Sequence, residues 1–377
     1  MRIGMITTSV PHAGDPVAGR FVVEMAEALG AQGHDVRVLA VRRRDRARWD
    51  APQPARGFTL RVIDAPGAGL LYDGGAPERL RGLGGWSRAL GVGASLGAVA
   101  ARWLRDRDAL VSHFLLPSAV VAGAIRGARP HLAIAHGSDG ALVARLPGAV
   151  RAAVLRGATA RWYSHAALRD RVHAGDRDAI VRPMGFHGGV TRRPSRDAVR
   201  ALVVSRLVPV KAVARAVEAV ARARAMRAHV TLDVLGDGPD RAALQRLVTT
   251  SLGPHGRLHG AVDPRTRDAF LACADLFLHT PRALPDGRTE GAPVSVIEAK
   301  GAGLCVVATD AGGVAELLGG VGVLLPERAS SDEIGAAVAA LARDPERRIT
   351  LGDKAMARAA PWRWDETARL VAALLAR

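Results

Sequence analysis

The sequence predicts an α/β protein of two Rossmann-like domains, each built around a parallel β-sheet. First, the chain has 377 residues, which is enough for two domains with separate hydrophobic cores. Second, short apolar runs alternate with segments of helical periodicity, as in successive βαβ units. Third, glycine-rich loops follow several of the apolar runs. Because open parallel sheets bind ligands at the carboxyl ends of their strands, we expect ligand contacts in those loops.

The charge of the chain favours an anionic partner. It has 53 Lys and Arg residues against 36 Asp and Glu, a formal net charge of +17. Apart from a cluster at Arg42–Arg48, the arginines are scattered, and no nucleic-acid-binding motif occurs. Aromatic residues, which would stack on bases, are only 4% of the chain. We therefore expect an anionic small molecule or an anionic phospholipid surface as the partner, and no nucleic acid.

The cysteines and the amino terminus bear on the compartment. Cys273 and Cys305 lie in apolar contexts without C-x-x-C spacing, which favours a reducing compartment over a disulfide framework or a zinc site. The start, MRIGMITT, predicts a first strand and not a signal peptide, and no apolar run approaches the length of a membrane span. We expect a cytoplasmic protein, with peripheral attachment to the inner face of the membrane left open.

The amino-terminal segment predicts a β-loop-α-β unit. An apolar strand at Arg2–Thr8 is followed by a Pro/Gly loop at Pro11–Gly19, a helix and a second apolar strand. Continuous apolar strands of this kind are typical of a buried parallel sheet. In the loop, Gly19 and Gly14 allow either a simple turn or a close approach of the backbone to a ligand.

The rest of the first half contains one long helical segment and further strands. Gly82–Leu104 has amphipathic helical spacing, which suits a packed surface helix, an acceptor-side helix or one that dips into a membrane. Later, the apolar run HLAIA leads into His136 and the tripeptide Gly-Ser-Asp139. Because Ser and Asp are good helix N-caps, this loop is either a ligand site or a simple cap.

In the second half, a strand at Val199–Ser205 leads into a loop with two cations, Arg206 and Lys211, and then into a helix. Only three lysines occur in the chain, so a retained lysine indicates that a compact ammonium group is wanted there. Cations at the start of a helix are suited to binding an anionic group. Arginine can donate two parallel hydrogen bonds to such a group, and lysine interacts with it as a point charge. The alternative is two surface cations in a basic chain.

The segment Arg288–Glu316 predicts a loop, a helix, a strand, a second glycine-rich loop and another helix. Two carboxylates eight residues apart, Glu290 and Glu298, frame a Gly-Ala-Pro turn. Pro293 suits the first turn of a helix, so we expect a helix at Ala292–Gly301. Its first amides would be free to bind an anion.

The segment EGAP…VIEAKGAGLCVVATDAGG resembles the E-x7-E signature of retaining glycosyltransferases of the GT-B fold, most closely family four (glycosyl transferases group 1). The segments SRLVPVKA and HGSD resemble further motifs of that family. The resemblance implies two Rossmann-like domains whose parallel sheets face each other across a cleft. It implies an acceptor-side domain at 1–187, a nucleotide-sugar-binding domain at 188–360, and at 361–377 a helix that packs back on the first domain.

The resemblance also implies an activity: transfer of a sugar from a UDP- or GDP-linked donor to an acceptor hydroxyl, with retention of the anomeric configuration. It implies no covalent nucleophile, because the leaving phosphate would take the acceptor's proton. The first loop, with Gly19, would approach the diphosphate, and Glu298 would hold the ribose. The implied catalytic residues are His136, Glu290, Arg206 and Lys211. The implied donor-binding residues are Gly19, Arg206, Lys211, Gly291, Ala292, Pro293, Val294 and Glu298.

The sequence differs from the family's motifs at a few positions. Ser205 and Ala212 replace glycines of the cation loop, and Phe186-His187 stands where the family often has an acidic residue. The triplets at Asp106–Asp108 and Asp176–Asp178 spell D-x-D but do not follow a strand in a glycine-rich loop. We therefore expect no metal, and no cofactor besides the sugar donor.

The acceptor and the pathway stay open at this point. A carbohydrate or lipid-linked acceptor in exopolysaccharide, glycolipid or other glycoconjugate biosynthesis is expected of such a hexosyltransferase (EC 2.4). A sugar-nucleotide epimerase of the same architecture is the nearest rival, and it needs acid/base residues that the sequence does not identify. A dehydrogenase would need G-x-G-x-x-G after a first strand, which is absent. A basic nucleic-acid-binding protein is the rival from another class, and a non-catalytic transferase is a fourth possibility.

Overall fold

The chain divides into two compact units in a computed structural model that describes residues 1–11, 18–42, 57–65, 67–68, 82–193 and 198–377. The first unit contains Met1–Gly185 and Trp364–Arg377, and the second contains Phe186–Arg363. The boundaries expected from the sequence were residues 187 and 360. Gly14 and most of the arginine cluster, residues 43–48, lie outside the described residues.

The first domain is built on a seven-stranded parallel sheet with the strand order β3-β2-β1-β4-β5-β6-β7. The strands β4 and β5 are buried along their whole length, as expected of a parallel sheet covered on both faces. The strands are β1 (Arg2–Ile6), β2 (Asp35–Arg42), β3 (Phe58–Asp64), β4 (Ala109–His113), β5 (His131–Ala135), β6 (Ala160–Tyr163) and β7 (Ile180–Val181). The described helices are α1 (Arg20–Ala31), α2 (Gly82–Trp103), α3 (Val120–Ile125), α4 (Ser138–Val143), α5 (Gly148–Arg156), α6 (Ala166–His173) and, from the end of the chain, α14 (Trp364–Leu375).

The carboxy-terminal helix α14 completes the core of the first domain. Its apolar face, which includes Val371 and Leu375, is buried with α1 and the sheet. Trp364 Nε1 donates a hydrogen bond of 3.0 Å to the Glu24 carboxylate, and Gln32 Nε2 donates one of 2.7 Å to a backbone carbonyl at the start of α14. These two bonds join the middle and the carboxyl end of α1 to the start of the last helix.

The second domain is built on a six-stranded parallel sheet with the order β10-β9-β8-β11-β12-β13. Helices pack on both faces, and the core is mostly Ala, Val and Leu. The strands are β8 (Val199–Val204), β9 (Val230–Leu235), β10 (Gly256–Gly260), β11 (Leu276–His279), β12 (Cys305–Thr309) and β13 (Val323–Leu325). The helices are α7 (Val213–Ala225), α8 (Arg241–Leu252), α9 (Pro264–Cys273), α10 (Val294–Gly301), α11 (Val314–Leu318), α12 (Ser331–Arg343) and α13 (Pro345–Ala359).

The helix of the E-x7-E segment begins later than the sequence predicted. We expected it to begin at Ala292, with Pro293 in its first turn, but α10 begins at Val294. The reason is that Pro293 has an extended ψ of 118° and therefore caps the helix from outside. As a result Glu298 lies a little more than one turn into the helix, not two.

Lys300, in the same helix, is a fully buried lysine. Its Nζ donates hydrogen bonds of 2.6 Å and 3.1 Å to the carbonyls of Leu317 and Leu318, at the end of α11, and lies 4.7 Å from the centre of the Trp362 ring. The ammonium group therefore satisfies carbonyls that the end of a helix leaves free. Burial and, to a smaller extent, the charge of Arg358 lower the pKa of Lys300 to about 8.

The lowered pKa of Lys300 predicts how stability depends on pH. Between a folded pKa of about 8 and the ordinary value of 10.5, the unfolded chain binds more protons at this side chain than the folded chain does. The free energy of unfolding contributed by Lys300 should therefore rise as the pH is raised through this range. Urea denaturation at several pH values should show that the difference in free energy of unfolding between the wild type and Lys300→Met changes in favour of the wild type as the pH rises through this range. Equal pH slopes for the two proteins would contradict it.

Candidate active site

The loops after β8 and β11 meet at the point where the strand order of the second sheet reverses. From β8 the chain continues outward to β9 and β10, whereas β11, β12 and β13 continue on the other side. Ligands of open α/β sheets bind in the crevice that forms at such a point, outside the carboxyl ends of the strands. Two of the predicted catalytic residues, Lys211 and Glu290, lie on these two loops.

The side chains of Lys211 and Glu290 form an ion pair between Nζ and Oε2. The two side chains are only 14% and 10% exposed, so the pair is largely withdrawn from water. Burial alone would raise the pKa of the Glu290 carboxyl. The positive charge of Lys211 and the contact with His279 outweigh burial and hold this pKa well below its usual range. The structure therefore brings together an ammonium group and a carboxylate from positions 79 residues apart.

His279 is a third member of this cluster that the sequence analysis did not identify. It ends β11, and its Nε2 lies 3.3 Å from Oε2 of Glu290. Burial lowers the pKa of His279, while the neighbouring Glu290 carboxylate partly offsets this effect. The only sequence signal was a histidine at the end of a strand that runs into a loop.

Several contacts fix the two loops to each other. The Thr280 hydroxyl donates a 3.2 Å hydrogen bond to the Ala212 carbonyl, and the Arg282 amide donates one of 3.0 Å to the Val210 carbonyl. Arg215, at the start of α7, donates to the carbonyl of Thr280 at 3.3 Å. The relative position of Lys211 and Glu290 is therefore held by bonds that do not involve either side chain.

The loop after β12 fixes the backbone of Glu290. A Cβ added at Gly312 would lie 1.8 Å from the Glu290 carbonyl oxygen, and Gly312 has φ +65°. Only glycine allows this approach without a shift of the chain. On the other side, the Gly291 amide donates a 3.1 Å hydrogen bond to Oε1 of Glu290. Of the predicted donor-binding residues, Gly291, Ala292, Pro293 and Val294 thus form the segment between Glu290 and the start of α10.

Arg206, the other predicted cation of this loop, does not take part in the ion pair with Glu290. Its side chain is exposed, and it makes no ion pair with any residue that the structure describes. Lys211 is followed by Ala212, which has the left-handed values φ 42° and ψ 45°. Ala212 is one of the positions where the resembling family has glycine, and the backbone keeps the conformation that glycine favours. The predicted phosphate contact of Arg206 stays a prediction.

Glu298 has a separate partner, which the sequence analysis also missed. Nη1 of Arg267, on α9, lies 2.5 Å from Oε1 of Glu298, on α10. The Arg267 side chain is 10% exposed and also bonds the carboxylate of Asp268. The geometry therefore holds one carboxylate oxygen of Glu298 in place, and its predicted contact with a ribose stays a prediction. In the sequence, Arg267 was one of many arginines at helical spacing.

The predicted residue of the first domain, His136, follows β5 and belongs to a cluster of rings. Its Nε2 lies 3.0 Å from Nδ1 of His113, at the end of β4, and its ring centre lies 4.2 Å from that of Phe21 and 5.0 Å from that of Phe114. Burial lowers the pKa of His113 to about 3, and burial together with His113 lowers the pKa of His136 well below its usual value. Both rings are therefore neutral at neutral pH.

Asp139 and Gly19 have structural partners of their own. The Asp139 carboxylate accepts 2.8 Å hydrogen bonds from the amides of Leu115 and His136, so it joins the loops after β4 and β5. Gly19 has φ +61°, and a Cβ added there would lie 2.2 Å from the carbonyl oxygen of Ser9. The turn itself therefore requires this glycine. Whether its backbone also approaches a diphosphate stays a prediction.

The two D-x-D triplets make ion pairs with arginines. Asp106 pairs with Arg107 and Arg37, and Asp108 pairs with Arg2. The buried Asp176 pairs with Arg161. Within the described ranges, no group of three or more His, Cys, Asp or Glu residues is placed to hold a metal ion. Among the helices that the structure describes, none has the length and apolar character needed to cross a bilayer.

A family match covers the part of the chain that carries Lys211 and Glu290. Residues 198–344 match the family described as "Glycosyl transferases group 1". Over 179 residues, the chain is 32% identical to a GDP-mannose-dependent alpha-(1-6)-phosphatidylinositol monomannoside mannosyltransferase of Mycobacterium tuberculosis, and this alignment covers 46% of each protein. Over 163 residues it is 29% identical to a GDP-mannose-dependent monoacylated alpha-(1-6)-phosphatidylinositol monomannoside mannosyltransferase of Corynebacterium glutamicum, covering 43% of this chain and 42% of that protein. The chain thus spans less than half the length of these curated relatives.

Comparisons with solved structures cover the whole chain. Sucrose-phosphate synthase of Thermosynechococcus elongatus has a TM-score of 0.72 at 20% identity and covers 99% of this chain, with 98% of its own chain covered. The Anabaena protein HepE in complex with UDP-glucose has a TM-score of 0.66 at 17% identity, covering 100% and 99%. These likenesses show the fold, and the predicted class of two Rossmann-like parallel-sheet domains, GT-B, is confirmed. That the two sheets face each other across a cleft stays an expectation from the resemblance.

The buried histidine pair predicts a spectroscopic property. Because His113 and His136 both have lowered pKa values, their rings should stay neutral as the pH falls through about 6.5, where an exposed histidine becomes protonated. NMR spectra of the imidazole nitrogens should show constant chemical shifts for these two rings. Protonation of either ring near pH 6.5 would contradict the prediction.

Proposed function

We propose, from the premise that this chain belongs to the group 1 glycosyl transferases, that it transfers a hexose from a nucleoside-diphosphate-sugar to an acceptor hydroxyl. The family match covers Lys211, Glu290 and Glu298. Curated relatives are named as GDP-mannose-dependent mannosyltransferases, and a protein of similar fold was solved with UDP-glucose. These names support a UDP- or GDP-linked sugar as the donor.

The single observation that carries this proposal is the contact between Lys211 and Glu290. A sugar–phosphate bond that breaks leaves a nucleoside diphosphate with growing negative charge, and a preplaced cation stabilises that charge with little reorganisation. In the free protein, the Lys211 ammonium group is paired with the Glu290 carboxylate. In the proposed complex, a phosphate oxygen takes its place at Lys211, and Glu290 becomes free to accept hydrogen bonds from hydroxyls of the sugar.

The other predicted residues have supporting parts in this proposal. Amides of Gly291–Val294 bind oxygens of the sugar and the phosphate at the start of α10. Arg206 provides a second cation for the diphosphate, and Glu298 accepts hydrogen bonds from the ribose. His136 forms hydrogen bonds with the sugar. Its lowered pKa keeps the ring neutral at neutral pH, so it does not act as a cation. The turn at Gly19 brings a backbone segment towards the diphosphate.

We propose that the reaction retains the anomeric configuration and uses no metal and no covalent nucleophile. The bond between the anomeric carbon and the phosphate oxygen breaks, and a bond forms between that carbon and the acceptor oxygen on the same face. The acceptor proton passes to the departing phosphate. Lys211 stabilises the charge on that phosphate throughout the step.

The acceptor proposed here is a carbohydrate or a lipid-linked molecule of glycolipid or polysaccharide biosynthesis. The names of the curated relatives support a glycolipid, because they include enzymes that act on phosphatidylinositol mannosides. The first half of the chain carries most of the net positive charge. Such a surface favours attachment to an anionic membrane, where a lipid-linked acceptor is found, and this location is part of the proposal.

Calorimetric titration of UDP, GDP and ADP tests the phosphate contact. We expect Lys211→Ala to weaken binding of the preferred nucleotide by about tenfold or more, because a charged hydrogen bond to the diphosphate is lost. The matched control is Lys354→Ala, which removes an exposed lysine of α13 and should leave binding unchanged.

A second variant separates binding from folding. Lys211→Ala leaves the buried Glu290 carboxylate without its cation, which destabilises the fold. Lys211→Met combined with Glu290→Gln removes both charges and should fold without this penalty while still binding nucleotide weakly. If this double variant binds UDP or GDP as tightly as the wild type, the phosphate contact of Lys211 is refuted.

A further inference from the structure

The first domain contains a cavity of about 550 Å³ between α2 and the segment that follows β4. Ligand cavities of small molecules typically measure about 300–1,000 Å³ and have mostly apolar walls with a few polar groups. Here Ala, Leu, Val, Ile, Pro and Gly residues form most of the wall, with Trp86 and Phe114 as the aromatic members. The cavity therefore has the size and the lining of a site for an apolar molecule.

The polar groups of the wall lie at the carboxyl edge of the first sheet. Thr8 comes after β1, and Asp139 follows β5, with β4 between these strands in the sheet. Both residues are more than nine-tenths buried. The Thr8 hydroxyl can both donate and accept a hydrogen bond. The Asp139 carboxylate accepts two amide hydrogen bonds and has capacity for another donor.

The polar groups are also close to the predicted site residue of this domain. Phe114 is part of the cavity wall, and its ring centre lies 5.0 Å from that of His136. The Asp139 carboxylate accepts a hydrogen bond from the His136 amide directly. A hydroxyl held by Thr8 and Asp139 would therefore lie beside the residue expected to contact the transferred sugar.

Apolar side chains extend the cavity wall to the surface. Leu90 and Trp86 on α2 and Val120 on α3 line the cavity, although they are 72%, 38% and 43% exposed. Single exposed apolar residues are common, but here three of them line one cavity. Such a rim suits a molecule with an apolar body that enters from solvent or from a bilayer.

We propose that this cavity binds the hydrocarbon body of an alcohol acceptor and presents its hydroxyl to Thr8 and Asp139. The inference rests on the proposed glycosyl transfer, and it defines the acceptor as a hydrophobic alcohol. A carbohydrate does not fit this wall, because its many hydroxyls would lose water without gaining partners. The hydrocarbon body belongs either to a lipid chain or to a compact ring system, and these share the same recognition chemistry.

Two helical glycines of α2 allow a sharp test. Gly97 lines the cavity, and a Cβ added there meets no atom within 4 Å, so Gly97→Leu fills the cavity without a backbone clash. Gly84 lies on the same helix outside the cavity and also has open space at its Cβ. Gly84→Leu is therefore the matched control. Both changes remove a helical glycine and should not lower helix stability.

The measurement is calorimetric binding of 1-decanol and of decahydro-2-naphthol, two ten-carbon alcohols with a linear and a fused-ring body, in the absence of any nucleotide. Mannitol serves as the polar comparison. We expect at least one of the two hydrophobic alcohols to bind the wild type and Gly84→Leu equally. Gly97→Leu should weaken it about tenfold or more, because the leucine occupies the space of several methylene groups. The alcohol that binds more tightly shows whether the hydrocarbon body of the acceptor is a linear chain or a ring system.

Other outcomes separate this proposal from the proposed function. If neither hydrophobic alcohol binds, or if Gly97→Leu binds them as well as Gly84→Leu does, the cavity is not the acceptor site. If Gly97→Leu proves unfolded by circular dichroism, Leu90→Asp replaces it, since a charge at the exposed rim should weaken binding without disturbing the core. Because no nucleotide is present, loss of UDP or GDP binding in the Lys211 variants leaves this result unaffected.

Discussion

The structure of the second domain depends on one electrostatic constraint: a buried carboxylate and a buried ammonium group must be paired. The pair of Lys211 and Glu290 joins loops that follow two neighbouring strands. Removing either partner would leave an isolated charge out of water, which is far less stable than the pair. A ligand can separate the pair only if it supplies groups that bond to both partners. A nucleoside-diphosphate-sugar has phosphate oxygens for the cation and hydroxyl donors for the carboxylate.

The loops around the ion pair are also fixed by contacts of their own. Arg215, Thr280 and Gly312 hold the backbone of the two loops through contacts with carbonyl oxygens. These contacts do not depend on the ion pair, so the loops can keep their positions when the charges change partners. Preorganisation of this kind reduces the reorganisation that a charged transition state requires. The first domain, considered by itself, has a different character, because its predicted residue His136 is neutral and lies among aromatic rings next to an apolar cavity.

Much of this arrangement could be predicted from the sequence, for identifiable reasons. The strand β1 (Arg2–Ile6) is a mostly apolar run, so its existence and its start could be predicted, although the predicted end, Thr8, lies two residues later. Lys211 and Glu290 were recognisable because each occurs in a distinctive local pattern. His279 and Arg267 were not, because their significance arises from contacts with residues far away in the sequence. The start of α10 was wrong by two residues because Pro293 suits both an N-cap and a first-turn position, and only its ψ angle decides.

Because the chain contains few lysines, NMR can test directly whether a phosphate replaces Glu290 at the Lys211 ammonium group. Selective ¹⁵N labelling of lysine gives only three side-chain signals, from Lys211, Lys300 and Lys354. During titration with UDP or GDP, the Nζ signal of Lys211 should shift until nucleotide binding is saturated. The signals of Lys300 and Lys354 should stay constant. If the nucleotide binds and the Lys211 signal does not change, the exchange of Glu290 for a phosphate at this ammonium group is contradicted.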